Sequence, residues 1–341
     1  MIQNKLKKKF RFGEFIAEKF ITLIAFISLA IITLIFIFIF RETLPIFFDK
    51  TKITPVAAQQ PEAQETYGGE GVQEVAMQTT KSSHDNEGVA SVNNLIGKTW
   101  QPVSDNPKFG LLPLVVGSLK ISLIAVLFAV PIAILAALFT ASFAPSWAKE
   151  TLKPAIEILA GFPSVVIGFF ALVVLATFVQ DLFGLEYRLN AFVGGLALSL
   201  AVIPIIYTLS EDAISAIPKS LTEASLALGA TKWQTALKVI LPAATPGIFA
   251  AILLGIGRAF GETMIVLMAT GNAALLSANP FEPVRTMSAT IGAEMAEVVF
   301  GETHYNVLFL IGSILFLFTF ALNAVAEIFI RQRLMKKFRG S

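Results

Sequence analysis

A run of apolar residues without any charged side chain occupies positions 20–40 and limits what this chain folds into. A helix rises about 1.5 Å per residue, so this run is long enough to cross the roughly 30 Å of a bilayer's hydrocarbon core. It is longer than the apolar core of a secretory signal, and residues 55–58 (PVAA) form only a weak cleavage motif. We therefore expect an uncleaved first transmembrane helix at residues 20–41, behind a basic cytoplasmic N-terminus at residues 1–19.

More apolar stretches follow after residue 110. The whole chain is 55% hydrophobic and 15% charged, whereas soluble domains average about 25% charged residues. We therefore expect an all-α, polytopic membrane protein with six transmembrane helices, five of them in a core at residues 111–330. The expected spans of this core lie at residues 111–143, 154–179, 191–210, 243–270 and 306–330.

Basic residues are more frequent on the side of the membrane that would hold both termini. The runs at residues 5–11 (KLKKKFR) and 331–339 (RQRLMKKFR) both fall on that side. Lysine and arginine in short loops favour the cytoplasmic side, so we expect both termini in the cytoplasm, with a basic cytoplasmic tail at residues 331–341. The net charge of +2 does not indicate a nucleic-acid partner, and membrane lipid is the expected surrounding.

Residues 42–110 differ in composition from the spans. They are rich in glutamine, glutamate, threonine, serine and glycine and contain few large apolar side chains. Such a segment buries too little apolar surface to offset the entropy of ordering. We expect an extracytoplasmic loop that is largely disordered.

Several chemistries are excluded by residues that the chain lacks or spaces too widely. It has no cysteine, and its two histidines, His84 and His304, lack the spacing of metal ligands. We expect no metal site, no cofactor and no catalytic residue. No G-x-x-x-x-G-K-[ST] motif is present, so any ATP hydrolysis requires a separate subunit.

The longest loop between spans on the basic side covers residues 211–242. Pro218 indicates a turn, and Ser220 or Thr222 is expected to cap a helix that begins near Glu223. Small residues then alternate with leucines, which permits close approach of another surface, and Gly229 permits a sharp change of direction. Spacing alone leaves two interpretations open, a docking surface for another protein or an amphipathic linker on lipid headgroups.

The order Glu223-Ala224-Ser225, then Gly229, then residues 239–242 (VILP) resembles the EAA loop of ABC importer permeases, commonly E-A-A-x₃-G-x₉-I-x-L-P. The serine at the second alanine and the valine at the isoleucine are mild departures. The resemblance implies a type I ABC importer permease fold, in which this loop forms a coupling helix in a cleft of the ATPase subunit. It also implies that Glu223, Ala224 and Gly229 make the contact with the ATPase.

Other stretches resemble the phosphate-importer permeases of the PstC type, among them LKPAIEILAGFPSVVIGFFAL, LGIGRAFGETM and EPVRTMSATIGAEMAE. This resemblance implies inorganic phosphate as the substrate and the bacterial plasma (inner) membrane as the location. It further implies three kinds of partner: ABC ATPase subunits, a second homologous permease that completes a heterodimer, and an extracytoplasmic phosphate-binding protein.

Two opposite charges lie in the fifth expected span. Arg258 and Glu262 are four residues apart, which places them on one helix face. Each charge costs roughly 2.5–3.5 kcal/mol at mid-bilayer, so both require compensation. Either the two residues neutralise each other and hold helices together, or Arg258 faces the substrate path and attracts an oxyanion while Glu262 holds the guanidinium. An arginine fork suits phosphate because it meets two oxygens and stays charged.

Weaker expectations concern the outer side. The outer segment at residues 271–305 contains Arg285 and Glu294, and its SATIGAEMAEVVF stretch is expected to form a solvated surface helix. Alternatives to a phosphate permease are an ABC permease for another oxyanion or nutrient, an ion-coupled secondary transporter, and a membrane sensor that binds partners without transport. A secondary transporter would show an inverted repeat, which the sequence does not reveal.

Overall fold

The computed structural model describes residues 12–48, 92–104 and 106–339, and describes side chains within 18–47, 94–104 and 106–328. Three predictions therefore lie wholly or mostly outside the described residues. They are the basic run at residues 5–11, most of the extracytoplasmic loop at 42–110, and the side chains of the basic tail at 331–341.

The described residues are mostly helical. A single two-stranded antiparallel hairpin lies between the second and third helices and pairs Trp100 with Phe109. The elements in chain order are α1 Phe12–Phe48, α2 Val92–Leu95, β1 Trp100–Gln101, β2 Lys108–Phe109, α3 Leu112–Ser142, α4 Ser146–Ala160, α5 Ser164–Phe170, α6 Ala176–Phe183, α7 Ala191–Ser215, α8 Lys219–Ala227, α9 Lys232–Thr235, α10 Leu241–Gly261, α11 Met264–Ala269, α12 Met287–Glu294 and α13 Thr303–Arg339.

Six helical segments among the described residues are long and apolar enough to cross a membrane, which confirms the all-α, six-span prediction. Two of them include a π-helical turn, at Ala171–Leu175 between α5 and α6 and at Ala236–Ile240 before α10. The six segments are Glu18–Phe47, Leu112–Ser142, Ser164–Phe183, Ala191–Ser215, Lys232–Gly261 and Thr303–Ile328.

The centre of the bundle is the contact between α3 and α7. Alanines recur at every fourth position of α3, a spacing that puts them on one face of the helix, and all of them are fully buried. On α7, a side chain on Gly195 would collide with Ile124 of α3. Small residues let helix backbones approach closely in a membrane, and α3 and α7 therefore pack closely at the centre of the bundle. The alanines are Ala125, Ala129, Ala133 and Ala137.

The third span begins later than the sequence predicts. The expected start at residue 154 lies inside α4, a separate helix that ends at Ala160, and the span itself starts at Ser164. Phe162 precedes a proline, and the residue before proline is disfavoured in the helical region. Pro163 has an extended ψ of 136° and begins the new helix. The chain therefore turns at residues 161–163 rather than continuing straight.

The first and fourth spans are longer than predicted. The helix α1 continues beyond residue 41 to Phe48, and α7 continues beyond residue 210 to Ser215. Glu211, which we expected in the loop, lies buried in the last turns of α7. Its carboxylate is 2.7 Å from Nζ of Lys153 on α4 and accepts a hydrogen bond from Ser215 at 2.8 Å. These partners make a buried carboxylate tolerable in the helix.

Candidate functional site

The fifth span is interrupted where the sequence predicts a continuous helix over residues 243–270. The helix α10 ends at Gly261, Glu262 is extended with φ −69° and ψ 132°, and the chain resumes as α11 at Met264. The carbonyl oxygen of Glu262 accepts a hydrogen bond of 2.7 Å from the hydroxyl of Ser288 on α12. Buried non-helical backbone requires such internal partners, and Ser288 supplies one.

The geometry of Arg258 and Glu262 differs from that of two residues on a continuous helix. Nη2 of Arg258 lies 3.8 Å from Oε2 of Glu262, outside hydrogen-bond distance, and the two side chains are 50% and 8% exposed. Glu262 also accepts a hydrogen bond of 3.2 Å from the backbone N–H of Thr263. Arg258 lies in the last turn of α10, where the helix dipole favours a positive charge. The carboxylate of Glu262 is therefore held by the protein, whereas the side chain of Arg258 is half exposed.

Buried hydroxyl groups surround the interruption, and the sequence alone did not identify them. Ser118 of α3 accepts a hydrogen bond of 3.0 Å from the backbone N–H of Met287, at the start of α12. Thr286 caps α12 by accepting from the N–H of Ala289 at 3.2 Å. The sequence signal for these groups was slight, because isolated serines and threonines in apolar segments usually bond to their own helix.

Glu223, Ala224 and Gly229 all lie on one exposed surface formed by α8 and the turn after it, residues 219–229, which we call the coupling surface. The side chain of Leu228 on this surface is 90% exposed. Gly229 has a positive φ of 85°, and a Cβ added there would meet nothing within 4 Å. The exposed apolar side chain of Leu228 thus lies directly before a glycine whose backbone is in the left-handed region.

The start of α8 differs from the prediction. The helix begins at Lys219 after Pro218, with no side-chain cap, so neither Ser220 nor Thr222 is an N-cap. Proline fixes φ near the helical value and lacks a backbone N–H, and here Pro218 occupies the N-cap position in place of a hydroxyl.

The coupling surface is anchored to the fifth span by a buried contact and a capped helix. Oγ of Ser225 is 2.9 Å from Oγ1 of Thr235, and both residues are buried. Thr231 and Gln234 form a capping box that starts α9. From Leu241 to Arg258, α10 then extends for about 26 Å at 1.5 Å per residue. One nearly continuous helical path thus connects the coupling surface to the interruption.

The outer segment contains a charged cluster in place of the expected solvated helix. Glu294, at the end of α12, is mostly buried, and its carboxylate lies 2.7 Å from Arg285 and 2.8 Å from Nε2 of His304. Nε1 of Trp100 donates to it at 3.1 Å. Burial raises the pKa of Glu294, but the hydrogen bonds from His304 and Trp100 and the charge of Arg285 outweigh it and lower the pKa below its usual value. We call these residues the outer cluster.

Two lysines are also held by the fold. Lys120 donates to the carbonyl oxygen of Asn279 at 3.1 Å. On α4, the hydrogen bond to Glu211 raises the pKa of Lys153 above its usual value. Among the residues that the structure describes, no three His, Cys, Asp or Glu side chains are grouped so that they could hold a metal ion.

Comparison with known proteins identifies the family. Residues 129–334 match the model of the family described as "Binding-protein-dependent transport system inner membrane component". The chain is 39% identical over 233 residues to a probable ABC transporter permease protein YqgH of Bacillus subtilis, covering 68% of this chain and 75% of that protein. It is 33% identical over 252 residues to the phosphate transport system permease protein PstC of Mesorhizobium japonicum, covering 68% and 76%.

Among solved structures, the chain is similar to one from inward-facing conformations of the MetNI methionine ABC transporter. The TM-score is 0.48 and the identity 21%, covering 62% of this chain and 93% of that chain. The family assignment depends on the sequence matches, which confirm the resemblance to ABC importer permeases of the PstC type.

Membership in this family defines the chain's part in transport. It is a multi-pass inner-membrane permease subunit, it works with a binding protein, and separate ATPase subunits hydrolyse ATP. The chain belongs to the family of binding-protein-dependent transport system inner membrane components, the permeases of ABC importers.

Proposed function

We propose that this permease forms part of a path for inorganic phosphate and that Arg258 contacts the anion as it passes. The single observation that carries the proposal is the state of Arg258. Its side chain is half exposed on a membrane span and is 3.8 Å from its only ion-pair partner among the described residues. A cation so placed is costly against lipid, which favours a position facing water or a second subunit.

The identity of the anion is supported by chemistry and by relatives. Phosphate oxygens match the planar fork of an arginine. Relatives at 33% and 32% identity are phosphate transport system permease proteins from Mesorhizobium japonicum and Xylella fastidiosa. Glu262 serves as the holder of the guanidinium rather than as a contact, because a carboxylate would repel the substrate.

The rest of the assembly follows from the same proposal. A second, homologous permease supplies the other wall of the path, against the exposed side of Arg258. The termini and the coupling surface lie in the cytoplasm, where Glu223, Ala224 and Gly229 contact the ATPase. All three are exposed, as a docking surface requires. Closure of the ATPases moves the coupling surface, and α10 carries the motion to Arg258.

Radiolabelled phosphate uptake by cells with Arg258→Ala tests the proposal. We expect assembly with the partner subunits to persist and uptake to fall by at least about tenfold, because a hydrogen bond to a charged group contributes about 1.5–3 kcal/mol. Arg258→Lys keeps the charge without the fork and should retain intermediate uptake.

The matched control is Arg188→Ala. Arg188 lies outside the six candidate spans and donates to the carbonyl oxygen of Leu172 at 2.7 Å, so its loss should leave uptake near the unmodified level. Normal phosphate uptake by an assembled Arg258→Ala transporter contradicts the proposal. Uptake of radiolabelled sulfate or molybdate by the unmodified transporter, with no uptake of radiolabelled phosphate, would assign the path to another oxyanion.

A further inference from the structure

The two ends of α12 contact two different sites, the outer cluster and the interruption of the fifth span. Its last residue is Glu294, which belongs to the outer cluster. Its first turn holds the interruption of the fifth span through the hydrogen bond from Ser288 to the carbonyl oxygen of Glu262. The two ends are separated by only two turns of helix.

The first turn of α12 is fixed on every side. Met287, Ser288, Ala289 and Thr290 are all buried. The hydroxyl of Ser118 on α3 accepts a hydrogen bond from the backbone N–H of Met287.

The second turn lies against the interruption itself. A Cβ added at Gly292 would lie 2.6 Å from Cγ2 of Thr263. The glycine thus lets the second turn of α12 lie directly beside Thr263, the residue that follows Glu262.

The opposite end is fixed by charge rather than by apolar packing. The carboxylate of Glu294 contacts three separate parts of the chain: Trp100 of the outer hairpin, Arg285 before α12, and His304 at the start of α13. The ring of His304 packs against both Trp100 and Phe109, and its centroid is 6.0 Å from each of theirs. Glu294 is thus bound by three polar partners from separate parts of the chain, and a buried polar network of this kind favours one geometry over others.

We propose that α12 transmits the position of the outer cluster to the fifth span, so that Glu294 and Ser288 are positioning residues for Arg258 and Glu262. The functional part of this inference rests on the proposed role of Arg258 in phosphate transport. Its structural part does not, since it concerns only the geometry of the interruption. Movement of the outer hairpin when a partner binds would then alter the surroundings of Arg258.

The test uses a single cysteine as a reporter, because the natural chain has none. Gly261 is exposed at the interruption, and a Cβ added there would meet nothing within 4 Å. The G261C reporter is therefore tolerated. Its rate of alkylation by a water-soluble maleimide, read on this chain by mass spectrometry in membranes with the complete transporter, measures the local geometry.

With this reporter, we expect Glu294→Gln and Ser288→Ala each to change the alkylation rate by at least about threefold. The double variant should show the same change as either single variant rather than their product, because both substitutions break one connection. The control is Glu297→Gln, an exposed carboxylate just beyond α12, which should leave the rate unchanged.

The outcomes separate this inference from the proposed function. Equal alkylation rates in Glu294→Gln, Ser288→Ala and the control overturn the inference, whatever the uptake. Changes that multiply in the double variant also overturn it. Altered alkylation in these variants supports the connection even if Arg258→Ala transports phosphate normally, in which case only the proposed function fails. If Glu294→Gln does not assemble, Trp100→Phe, which removes one of the donors to Glu294, takes its place in the comparison.

Discussion

At the scale of single residues, the unequal exposure of Arg258 and Glu262 is the central feature. A mutually neutralised pair would be expected to have two buried partners in hydrogen-bond contact, whereas here the separation is 3.8 Å and only the carboxylate is buried. The fold holds the acid through the N–H of Thr263 and leaves the base available. This asymmetry is what a weak, transient anion contact requires, since a tight permanent site would trap its substrate.

Glu262→Gln tests the holding role of the acid. The amide keeps the shape of the side chain but removes its charge, so the guanidinium loses its ion-pair partner. We expect phosphate uptake to fall less than in Arg258→Ala, by about three- to tenfold, in line with roughly 1 kcal/mol for a partly exposed pair. Concentration-dependent uptake measures it. A loss larger than that of Arg258→Ala would contradict the assignment of Glu262 as holder.

The outer cluster predicts a pH dependence of stability. The pKa of Glu294 is lower in the folded protein than its usual value, so its carboxylate stabilises the fold fully above the ordinary carboxyl pKa. That contribution is lost as the pH falls through the folded pKa, below about pH 4. Thermal unfolding of the purified protein should be measured from about pH 7 to about pH 3. We expect Glu294→Gln to lose less stability on this acidification than the unmodified chain.

The matched control for this prediction is again Glu297→Gln. Its carboxylate is exposed, so the control should keep the pH dependence of the unmodified chain. Equal slopes for Glu294→Gln and the unmodified chain would show that the charge of Glu294 does not hold the outer cluster together.

At the scale of elements, the turn after α8 is set by one backbone conformation. Gly229 has a φ of 85°, and residues with a side chain are costly in this left-handed region. The turn presents the exposed Leu228 and ends the helix that carries Glu223 and Ala224. The shape of the coupling surface therefore depends on a glycine at this position.

Gly229→Ala is expected to reduce coupling between ATP hydrolysis and transport. An alanine at this positive φ costs about 1–2 kcal/mol, and the strained backbone lies within the coupling surface. Gly184→Ala is the matched control, because Gly184 also has a positive φ of 62° with nothing near a Cβ, but lies at the end of α6. Both variants should lose similar thermal stability, and only Gly229→Ala should lose phosphate uptake per ATP hydrolysed. Equal coupling in the two variants would contradict the assignment.

Close approach between α3 and the loop before α12 gives a second prediction at this scale. A Cβ at Gly117 would collide with the backbone carbonyl of Arg285. Gly117→Ala should therefore destabilise the protein by about 1–3 kcal/mol, seen as a lower thermal unfolding temperature. Gly261→Ala, where a Cβ meets nothing, is the control. Unchanged stability in Gly117→Ala would show that this contact yields easily.

At the scale of the whole molecule, the sequence predicted more of the fold than of the site. Hydropathy located the six spans because every apolar run long enough to cross the bilayer became a helix. It missed the interruption at Glu262, where the freed carbonyl oxygen bonds to Ser288, a residue 26 positions away in the chain. It also missed the outer cluster, since Trp100 and Glu294 are 194 positions apart and meet only in the fold.

The helix that the motif predicts near Glu223 is present, but its predicted start is wrong. Glu223, Ala224 and Gly229 are all exposed on or just after α8. The predicted caps failed because Pro218 starts the helix at Lys219. A local motif records which residues face outward, whereas the exact start of a helix depends on backbone geometry that neighbouring turns decide.

The central claim is that this permease passes phosphate along Arg258 under the power of separate ATPase subunits. The most direct measurement is radiolabelled phosphate accumulation in vesicles containing the complete transporter and its binding protein, with and without ATP, for the unmodified chain and Arg258→Ala. The account predicts accumulation only with ATP and only with the arginine. Accumulation without ATP, or undiminished accumulation by the assembled Arg258→Ala transporter, would contradict it.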